Sequence, residues 1–373
     1  MKKLTQYRIT IILLVIAFIN LYYYGGDVRF IEELDIPSGI GYDIENHLDG
    51  INYYAIPIDS YIYTPTGVVK DVIHVGKGET LLKTRQYRQR SSNRKFLLGN
   101  EKVYLISEKM ANRGIDDLSN LLYFIPNVNP SAVFLVCSGK PEEILKYKIN
   151  GYPTSSDYIY EIVKNLVQYN FFPKEKYDIK NIYMDLNSEG KNLVLPYIEI
   201  KEDGLEITGM GIFKGDKMVT KINSEELQTM NLLRENKTKG IISIIDDPDN
   251  YAEVDCYVKR KAKCYRENGR YKFIINLKID GDVINYKSNK YRLSSEKADK
   301  ELKDNLEKNL HISTEEFISK MQKQYKVDVL GLGNLAASKY GRHSKTNWNK
   351  VIMDSEIKVN TDIKIIRKER LEK

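Results

Sequence analysis

Cysteine is scarce in this sequence, with only Cys137, Cys256 and Cys264 in 373 residues. This number and spacing do not fit the disulfide framework of a small secreted domain. Cys256 and Cys264 are predicted to share one strand, where eight residues cover roughly 26 Å. A disulfide requires Cα atoms within about 7 Å, so these two should not pair with each other. Cys137 ends an apolar stretch (132–136) and is expected to be a buried thiol.

Catalytic signatures are missing as well. The sequence has no Gly-x-Ser-x-Gly nucleophile elbow and no His-x-x-x-His or Cys-x-x-Cys metal motif, which are common signals of hydrolases and zinc sites. The histidines have unrelated spacings and are expected to be surface or packing residues: His47, His74, His311 and His343. We predict that the chain is not an enzyme and has no catalytic, metal-binding or cofactor-binding residues.

Two short segments permit a ligand site but fit a structural role better. The stretch GMGIFKGDK (209–217) is rich in glycine, yet it lacks Gly-Lys-Ser/Thr and is predicted to form a hairpin, so tight strand packing explains its glycines better than phosphate binding. The acidic segment 246–249 has the oxygen ligands that a hard cation prefers. A polar turn is the favoured interpretation of that segment.

Neither sign of charge is strongly in excess. The sequence has 58 basic and 51 acidic residues, and the formal net charge is +7. One basic cluster without acids lies in 83–95 and comprises Lys83, Arg85, Arg88, Arg90, Arg94 and Lys95. It is either a solvated helix surface, the favoured interpretation, or a patch that contacts anionic lipid. Nucleic-acid binding is not predicted, because no recognisable binding motif is present.

Long apolar runs are also absent, with one exception at residues 9–24. Lys2, Lys3 and Arg8 precede this run and acidic residues follow it, which is the positive-inside pattern and predicts that the chain after residue 26 is exported. We predict a membrane anchor formed by Ile9, Ile12, Leu13, Val15, Ile16, Phe18, Tyr22, Tyr23 and Tyr24, with the three tyrosines at the membrane surface.

The length of this run leaves alternatives open. Sixteen residues at about 1.5 Å per residue span roughly 24 Å, somewhat less than a hydrocarbon core of about 30 Å. An uncleaved anchor is favoured, because no Ala-x-Ala cleavage site follows. A cleaved signal peptide and a buried core helix are the other two interpretations.

Local signals predict alternating strands and helices in the first half of the chain. Strands are expected at 38–43, 50–58, 103–106, 132–136 and 192–200, and helices at 80–90, 107–114, 118–122, from Pro141 and at 156–169. Thr80 and Ser107 are expected to cap their helices, and Gly114 to end the second. Gly39 and Gly41 fall on one face of the first strand.

The second half is predicted to consist of two hairpins, a long helix and a final strand. The hairpins are 205–219, which turns at 214–216, and 252–279, which turns at Asn268-Gly269. The helix runs from about residue 295 to 325 with one apolar stripe, and should lie on a sheet. In the last strand, 357–365, apolar and polar residues alternate, so one side only should be buried.

Together these elements predict an α+β protein with an N-terminal membrane helix. The expected division is residues 1–26 for the anchor, 27–200 for an N-terminal α+β domain, 201–250 for a middle domain and 251–373 for a C-terminal α+β domain with the second hairpin, long helix and final strand.

Several segments, in their order along the chain, resemble the Ger(x)C family, the C subunits of nutrient germinant receptors in endospore-forming bacteria. They are 27–43, 95–118, 192–200, 209–219, 321–334 and 348–366. The hairpin GMGIFKGDKMV and the stretch YKVDVLGLG after the long helix are the most specific pair. Within these motifs we assign structural roles to Gly39, Gly41, Gly209, Gly211, Phe213, Gly215, Asp328, Gly331, Gly333 and Trp348.

The resemblance implies three small α+β domains, each a mainly antiparallel or mixed sheet covered by helices, on the outer face of the spore inner membrane. It implies no catalytic activity. It also implies partners: a multi-span A subunit and a transporter-like B subunit, in a complex that responds to a small-molecule nutrient and triggers germination. A solute-binding module acting alone and a cell-envelope enzyme are the alternatives from other functional classes.

The sequence departs from the family pattern at three places. The family usually has a lipid-bearing cysteine before the mature domain, and Gly25-Gly26-Asp27 occupies that place here. Glycine cannot form the thioether, so the apolar helix itself is expected to anchor the chain. Asn100 and Thr220 stand where the family tends to have histidine and glycine, and neither change is expected to alter the fold.

Overall fold

The computed structural model describes residues 2–24, 30–46, 52–64, 66–67, 69–166, 171–173, 177–287, 296–342 and 346–366. Two β-sheets with helices packed against them make up most of this part of the chain. The α+β class predicted from the alternating strand and helix signals is confirmed. Gly25, Gly26, Asp27, His47, Tyr169 and His343, which the sequence analysis singled out, lie outside the described residues.

The elements are numbered in chain order. The strands are β1 (Leu34–Asn46), β2 (Asn52–Tyr63), β3 (Val69–Gly78), β4 (Lys95–Phe96), β5 (Val103–Ser107), β6 (Val133–Cys137), β7 (Val194–Lys201), β8 (Gly204–Lys214), β9 (Lys217–Asn223), β10 (Lys237–Asp247), β11 (Asn250–Glu267), β12 (Arg270–Lys287) and β13 (Glu356–Ile366). The helices are α1 (Lys2–Tyr24), α2 (Leu81–Ser91), α3 (Glu108–Arg113), α4 (Asp116–Phe124), α5 (Pro141–Lys146), α6 (Ser155–Leu166), α7 (Ile179–Leu186), α8 (Ser224–Arg234), α9 (Glu296–Lys320), α10 (Leu332–Tyr340) and α11 (Trp348–Met353).

The first sheet has the order β3-β2-β1-β5-β6-β7-β8-β9, and β4 pairs with β1. Its centre is parallel, from β1 through β5 and β6 to β7, and antiparallel hairpins flank it on both sides. The central strands β5 and β6 are almost wholly buried, as expected of parallel strands that helices cover on both faces.

The helices of the first sheet begin and end where the sequence signals place them. Thr80 accepts a hydrogen bond from the Lys83 N–H and caps α2. Ser107 caps α3 in the same way, and α3 ends at Gly114, whose φ of 132° suits glycine. Pro141 occupies the first turn of α5, where its missing N–H costs no hydrogen bond. These predictions are confirmed.

The second sheet has the order β10-β11-β12-β13. The β11–β12 hairpin turns at Asn268 and Gly269, both with positive φ, which the predicted tight turn requires. β13 pairs in parallel with β12, and its predicted alternation appears as buried Ile363 and half-buried Ile357, Val359 and Ile365 between exposed positions. α9 contacts β10 and β13, and its buried stripe includes Leu302, Leu306, Leu310 and Phe317.

The long helix is shorter than predicted. The α-helix ends at Lys320, and residues 321–325 form one turn of π-helix instead of continuing it. The Lys326 N–H donates to the Met321 carbonyl over 2.9 Å, and Lys326 adopts the left-handed conformation. The apolar stripe continues through this turn to Met321 and half-buried Tyr325, so the sequence pattern conceals the change in backbone.

The predicted domain boundaries fall within these sheets. Residue 200 lies in β7, which pairs with β8 across the tight turn at 202–203, so the first sheet continues to residue 223. β10 pairs with β11, so the end of the segment 201–250 belongs to the second sheet. The division into three domains stays a prediction; the described residues form two sheets that do not follow it.

The three cysteines are buried and free. Cys256 and Cys264 both lie on β11, as predicted, and Cys137 is the last residue of β6. Burial raises the pKa of Cys256 to about 12 and that of Cys264 to about 11. Thiols in these surroundings stay protonated at neutral pH and pack as small apolar groups.

Candidate functional site

The residues predicted to form the anchor or the family motifs lie in three places: on α1, in the first sheet, and where the two halves of the chain meet. The first group is the predicted anchor. The second comprises Gly39, Gly41, Gly209, Gly211, Phe213 and Gly215. The third comprises Asp328, Gly331, Gly333 and Trp348.

α1 is exposed at every position whose side chain is described. Ile12, Leu13, Val15, Ile16, Phe18 and Tyr22 are all exposed, with Phe18 at 75% and Tyr22 at 81% of full accessibility. The side chains of Ile9, Tyr23 and Tyr24 lie outside the described part of the helix. Among the described residues, no helix reaches the length and apolar character of a membrane span.

The glycines of β1 allow helices to lie close to the sheet. A Cβ on Gly39 would lie 2.0 Å from the Ser156 hydroxyl of α6, and one on Gly41 would lie 2.5 Å from Cβ of Pro141 in α5. Both glycines therefore face α5, and Gly39 also faces α6, on the face of the sheet opposite α2. Their shared orientation agrees with their spacing of two in a strand.

The hairpin β8–β9 contains the next four motif residues. A Cβ on Gly209 would lie 1.8 Å from the Ile222 carbonyl oxygen, so the two strands pack closely there. Gly211 lies against Met218, Phe213 is fully buried, and Gly215 forms the exposed turn with a φ of 64°. The glycines thus serve strand packing and the turn, and the segment does not precede a helix as a phosphate loop would.

Phe213 connects this hairpin to the third place. Its backbone N–H donates to the Leu193 carbonyl over 3.0 Å, directly beside Asn192. We use "the junction" for the contact between two sets of residues: 185–193 of the first half, and 328–334 with 347–349 of the second. The remaining motif residues lie in it.

Asp328 organises the second half of the junction. Its side chain is fully buried and accepts hydrogen bonds from the backbone N–H groups of Leu330 (3.0 Å) and Gly333 (2.7 Å). Burial raises the pKa of Asp328, while these N–H groups and Arg234 act in the opposite direction. The carboxyl group thereby holds a turn in which Gly331 has a φ of 70°.

Two asparagines join this turn to the first half. Asn192 donates from Nδ2 to the Asp328 carbonyl (3.0 Å) and to Oδ1 of Asn349 (2.8 Å), while that same Oδ1 accepts the Asp328 N–H (2.8 Å). Asn192 is buried, so each of these bonds replaces one that water would otherwise provide. Residues from three separate parts of the sequence therefore share one hydrogen-bond network.

Two arginines cap the carbonyl groups of the same turn. Arg234 donates to the Val329 carbonyl over 2.5 Å and lies 3.6 Å from Asp185 and 3.4 Å from Glu235. Arg260, from the second sheet, donates to the Leu330 carbonyl over 3.3 Å. Burial lowers the pKa of Arg260 to about 10, so its guanidinium group remains charged at neutral pH.

The closest approach in the junction is between two backbones. A Cβ on Gly190, whose φ is 71°, would lie 2.4 Å from the Gly333 carbonyl carbon. Trp348 then covers this contact, and its indole Nε1 donates to Oε1 of Glu189 over 2.9 Å. Asn334 adds a hydrogen bond to the Glu189 carbonyl over 2.9 Å.

Asp328, Gly331, Gly333 and Trp348 belong to sequence motifs, but the sequence does not reveal their partners. The missed residues are Asp185, Glu189, Gly190, Asn192, Arg234, Arg260 and Asn349. No local pattern marks them, because polar residues near the end of a helix or in a loop are ordinarily solvated. Only their contacts across the fold distinguish them.

The junction contains no arrangement that could perform covalent chemistry. Apart from Nε of Arg260, which has no hydrogen-bond partner, the polar groups described above are paired with backbone groups or with each other, and they hold two parts of the chain in one position. Within the described ranges, no group of three His, Cys, Asp or Glu side chains is arranged to hold a metal ion. Asp247 instead accepts hydrogen bonds from the Asp249 N–H and from Asn250, as in a polar turn.

The two described histidines have ordinary surroundings. His74 packs edge-on against Phe96, with its Nε2 3.7 Å from Asp35, and exposed His311 lies 3.5 Å from Glu315 on the same helix. Neither adjoins a nucleophilic side chain in these contacts.

Comparison with known proteins gives matches along most of the chain. Residues 27–200 match the family model "Spore germination protein N-terminal domain", and residues 208–369 match "Spore germination B3/GerAC like, C-terminal". Together the two models leave out little beyond the segment that contains α1 and the last residues.

Curated relatives and a solved structure agree with these matches. Spore germination protein GerQC of Bacillus cereus is 22% identical over 344 residues, which are 90% of this chain and 92% of that protein. Spore germination protein A3 of Bacillus subtilis (strain 168) is 23% identical, over 87% of this chain and 86% of that one. The crystal structure of the GerBC protein matches with a TM-score of 0.56 and 17% identity, over 88% and 97% of the two chains, and shows a similar fold.

Proposed function

The chain belongs to the Ger(x)C family of spore germination proteins, and we propose that it acts as the non-catalytic C subunit of a nutrient germinant receptor. The observation that carries this proposal is the pair of successive family matches, over 27–200 and 208–369. They occur in the family's order and extend through both sheets. Two curated spore germination proteins match over nearly their whole lengths.

The fold is suited to presenting surfaces to partner subunits. The junction joins the two sheets through buried hydrogen bonds, so surfaces on both halves keep fixed relative positions. The partners are a multi-span A subunit and a transporter-like B subunit, and the complex responds to a small-molecule nutrient. What supports these partners is family membership together with the absence of a reactive arrangement at the junction.

α1 anchors this subunit in the spore inner membrane, with the two sheets on the outer face. In support, its described side chains are exposed and mostly apolar, an arrangement that water disfavours and that lipid would cover. Lys2, Lys3 and Arg8 at its start favour a cytoplasmic N-terminus. Glycine stands at the position of the family's lipid-bearing cysteine, so the apolar helix itself provides the anchor.

Deletion of the gene tests the receptor role. Spores that lack the chain are expected to lose their response to at least one nutrient while still germinating with a receptor-independent trigger such as lysozyme after decoating. Reintroducing the gene at a neutral locus should restore the response. Normal germination of the deletion spores on every nutrient, in a strain that also lacks paralogous receptor genes, would contradict the proposal.

Co-purification tests the partners. An affinity-tagged chain is isolated from spore membranes solubilised in mild detergent, and the A and B subunits are expected in stoichiometric amounts. A tagged membrane protein of unrelated function serves as the control for non-specific capture. Recovery of the chain without either subunit, from membranes that contain both, would contradict the assignment as a receptor subunit.

A further inference from the structure

A cavity of about 90 Å³ lies between α2 and the face of the first sheet that bears Tyr42 and Tyr104. Aliphatic side chains of β1 and β2 form much of its wall, among them Ile40, Ile56 and Ile58, all nearly fully buried. Leu82 and Arg85 of α2 line its rim and are exposed. A solute could therefore enter from the solvent beside α2.

Arg88 introduces a positive charge into this apolar space. It belongs to the basic cluster of 83–95, which was predicted to be either a solvated surface or a lipid contact. Lys83, Arg85, Arg90 and Lys95 are exposed as both hypotheses require, but Arg88 points inward and is only 7% exposed. Neither hypothesis holds for this residue.

The Arg88 guanidinium is poorly compensated. Its Nη1 lies 3.5 Å from the Thr84 hydroxyl, the group lies 5.5 Å from the centre of the Phe96 ring, and Nε has no hydrogen-bond partner. The ion pairs of the described residues do not include Arg88. Burial lowers the pKa of Arg88 to about 10, so the group is still charged at neutral pH.

A second unsatisfied polar group lines the same cavity. Tyr104 is fully buried, stacks on Phe134, and has a hydroxyl without a hydrogen-bond partner. The ring of Tyr42 lies 6.2 Å away. Burial raises the pKa of both hydroxyls, so they remain protonated and able to donate. Buried donors without partners are rare in native proteins, because each loses its hydrogen bonds to water.

We propose that this cavity binds a small aliphatic monocarboxylate, whose carboxylate pairs with Arg88 and accepts a hydrogen bond from Tyr104. The alkyl part lies against Ile40, Ile56 and Ile58. This inference goes beyond the receptor role: it assigns a ligand site to the C subunit itself and does not depend on which nutrient the complex detects.

The charge and size of the cavity select this class of ligand. An anion compensates a buried guanidinium, whereas a neutral solute leaves the charge unpaired. A strongly hydrated dianion such as phosphate would lose its water against apolar walls and find one buried cation. A cavity of about 150 Å³ accommodates benzene, so a smaller one suits acids of roughly two to four carbons.

Binding is tested on the full-length chain in nanodiscs of phosphatidylcholine, with empty nanodiscs as the control for partitioning. The probes are propionate and butyrate, measured by isothermal titration calorimetry and by the shift in thermal unfolding at constant ionic strength. Propionamide has nearly the same shape without the charge, and inorganic phosphate has charge without an apolar part. The carboxylates should bind saturably and at least about 10-fold more tightly than either comparator.

Variants locate the site. Arg88→Met should weaken propionate binding by about 10-fold to 100-fold, which corresponds to losing a charge-assisted pair. Tyr104→Phe keeps the ring and should weaken binding by several-fold. The control Arg90→Gln removes an exposed charge from the same helix and should leave binding unchanged. Far-UV circular dichroism and the unfolding temperature without ligand establish that each variant is folded.

Three outcomes would overturn the site. Equal binding of propionate and propionamide would show that Arg88 does not select charge. Unchanged binding in Arg88→Met would place the ligand elsewhere, and if Arg88→Met did not fold, unchanged binding in Tyr104→Phe would do the same. If neither acid bound saturably, the cavity would not be a carboxylate site and would hold only water. None of these results would affect the receptor role, which the germination of spores tests separately.

Discussion

Trp348 and Glu189 are 159 residues apart in sequence, and the indole Nε1 of one donates to the carboxylate of the other over 2.9 Å. This bond closes the junction over the contact between Gly190 and Gly333. It joins the first residue of α11 to the loop that precedes β7. The stability of the protein should therefore depend on contacts between the halves as well as on each sheet.

Trp348→Phe should destabilise the protein by about 1–3 kcal/mol, because it removes the hydrogen bond to Glu189 and part of a buried ring. The measurement is urea-induced unfolding followed by circular dichroism. A double-mutant cycle with Glu189→Gln isolates the pair, and the coupling energy should be at least about 0.5 kcal/mol. Strict additivity of the two substitutions would show that the pair does not contribute. Tyr87→Phe, on the exposed side of α2, is the control.

Gly190→Ala should be more harmful than Gly215→Ala, although both positions have positive φ. Alanine in the left-handed region costs about 1–2 kcal/mol, and this applies to both. At Gly190 the new methyl group also lies 2.4 Å from the Gly333 carbonyl carbon, whereas Gly215 has open space. Overpacking should add about 1–3 kcal/mol at Gly190. Equal unfolding free energies for the two variants would contradict the close contact.

Asp59 should make stability depend on pH. Its carboxyl group is fully buried, accepts a hydrogen bond from Ser156 over 3.3 Å, and has one oxygen without a partner. Burial raises its pKa from 3.8 to about 7. Between these two values the folded protein holds a proton that the unfolded chain has released. The contribution of Asp59 is therefore complete below about pH 4 and is lost as the pH rises towards 7.

Asp59→Asn removes this titration, because the amide is neutral at every pH. The unfolding free energy of the variant minus that of the wild type should increase from pH 5 to pH 7 and become constant above pH 8. The increase should be on the order of 1 kcal/mol per pH unit at most. Asp203→Asn, in an exposed turn, is the control and should leave the pH profile unchanged. A difference that is independent of pH would contradict the buried proton.

The double variant Leu13→Arg/Ile16→Arg should release the chain from spore membranes. Two arginines in the middle of α1 cost several kcal/mol on transfer into lipid, at about 2.5–3.5 kcal/mol each. The measurement is the fraction of the chain that remains in the membrane pellet after a high-salt wash. The matched control Leu13→Ile/Ile16→Leu preserves apolar character and should stay in the pellet. Retention of the arginine variant would refute α1 as the sole anchor.

Local features of this fold were predictable because their signals are contiguous in sequence. Thr80 and Ser107 mark helix starts by capping chemistry, Asn268-Gly269 marks a hairpin by its positive φ, and β13 reveals its buried side by strict alternation. Each depends on neighbours within a few residues.

Features that depend on distant contacts could not be predicted. Asn192 and Asn349 are ordinary polar residues until the fold places them 2.8 Å apart. Arg88 lies in a basic cluster, and nothing in the order of its neighbours distinguishes the buried arginine from the exposed ones. The end of α9 was misplaced because the apolar stripe continues through a π-helical turn. For Asn192 and Arg88, the deciding contacts come from other parts of the chain.

The hydrogen bonds around Asp328 connect the two sheets rigidly. Residues 185–193 cannot act as a hinge when force is applied to the second sheet, because side chains from both halves of the chain hold this segment in place. The segment also continues directly into β7. Force would therefore pass through residues 185–193 into β7 and the first sheet.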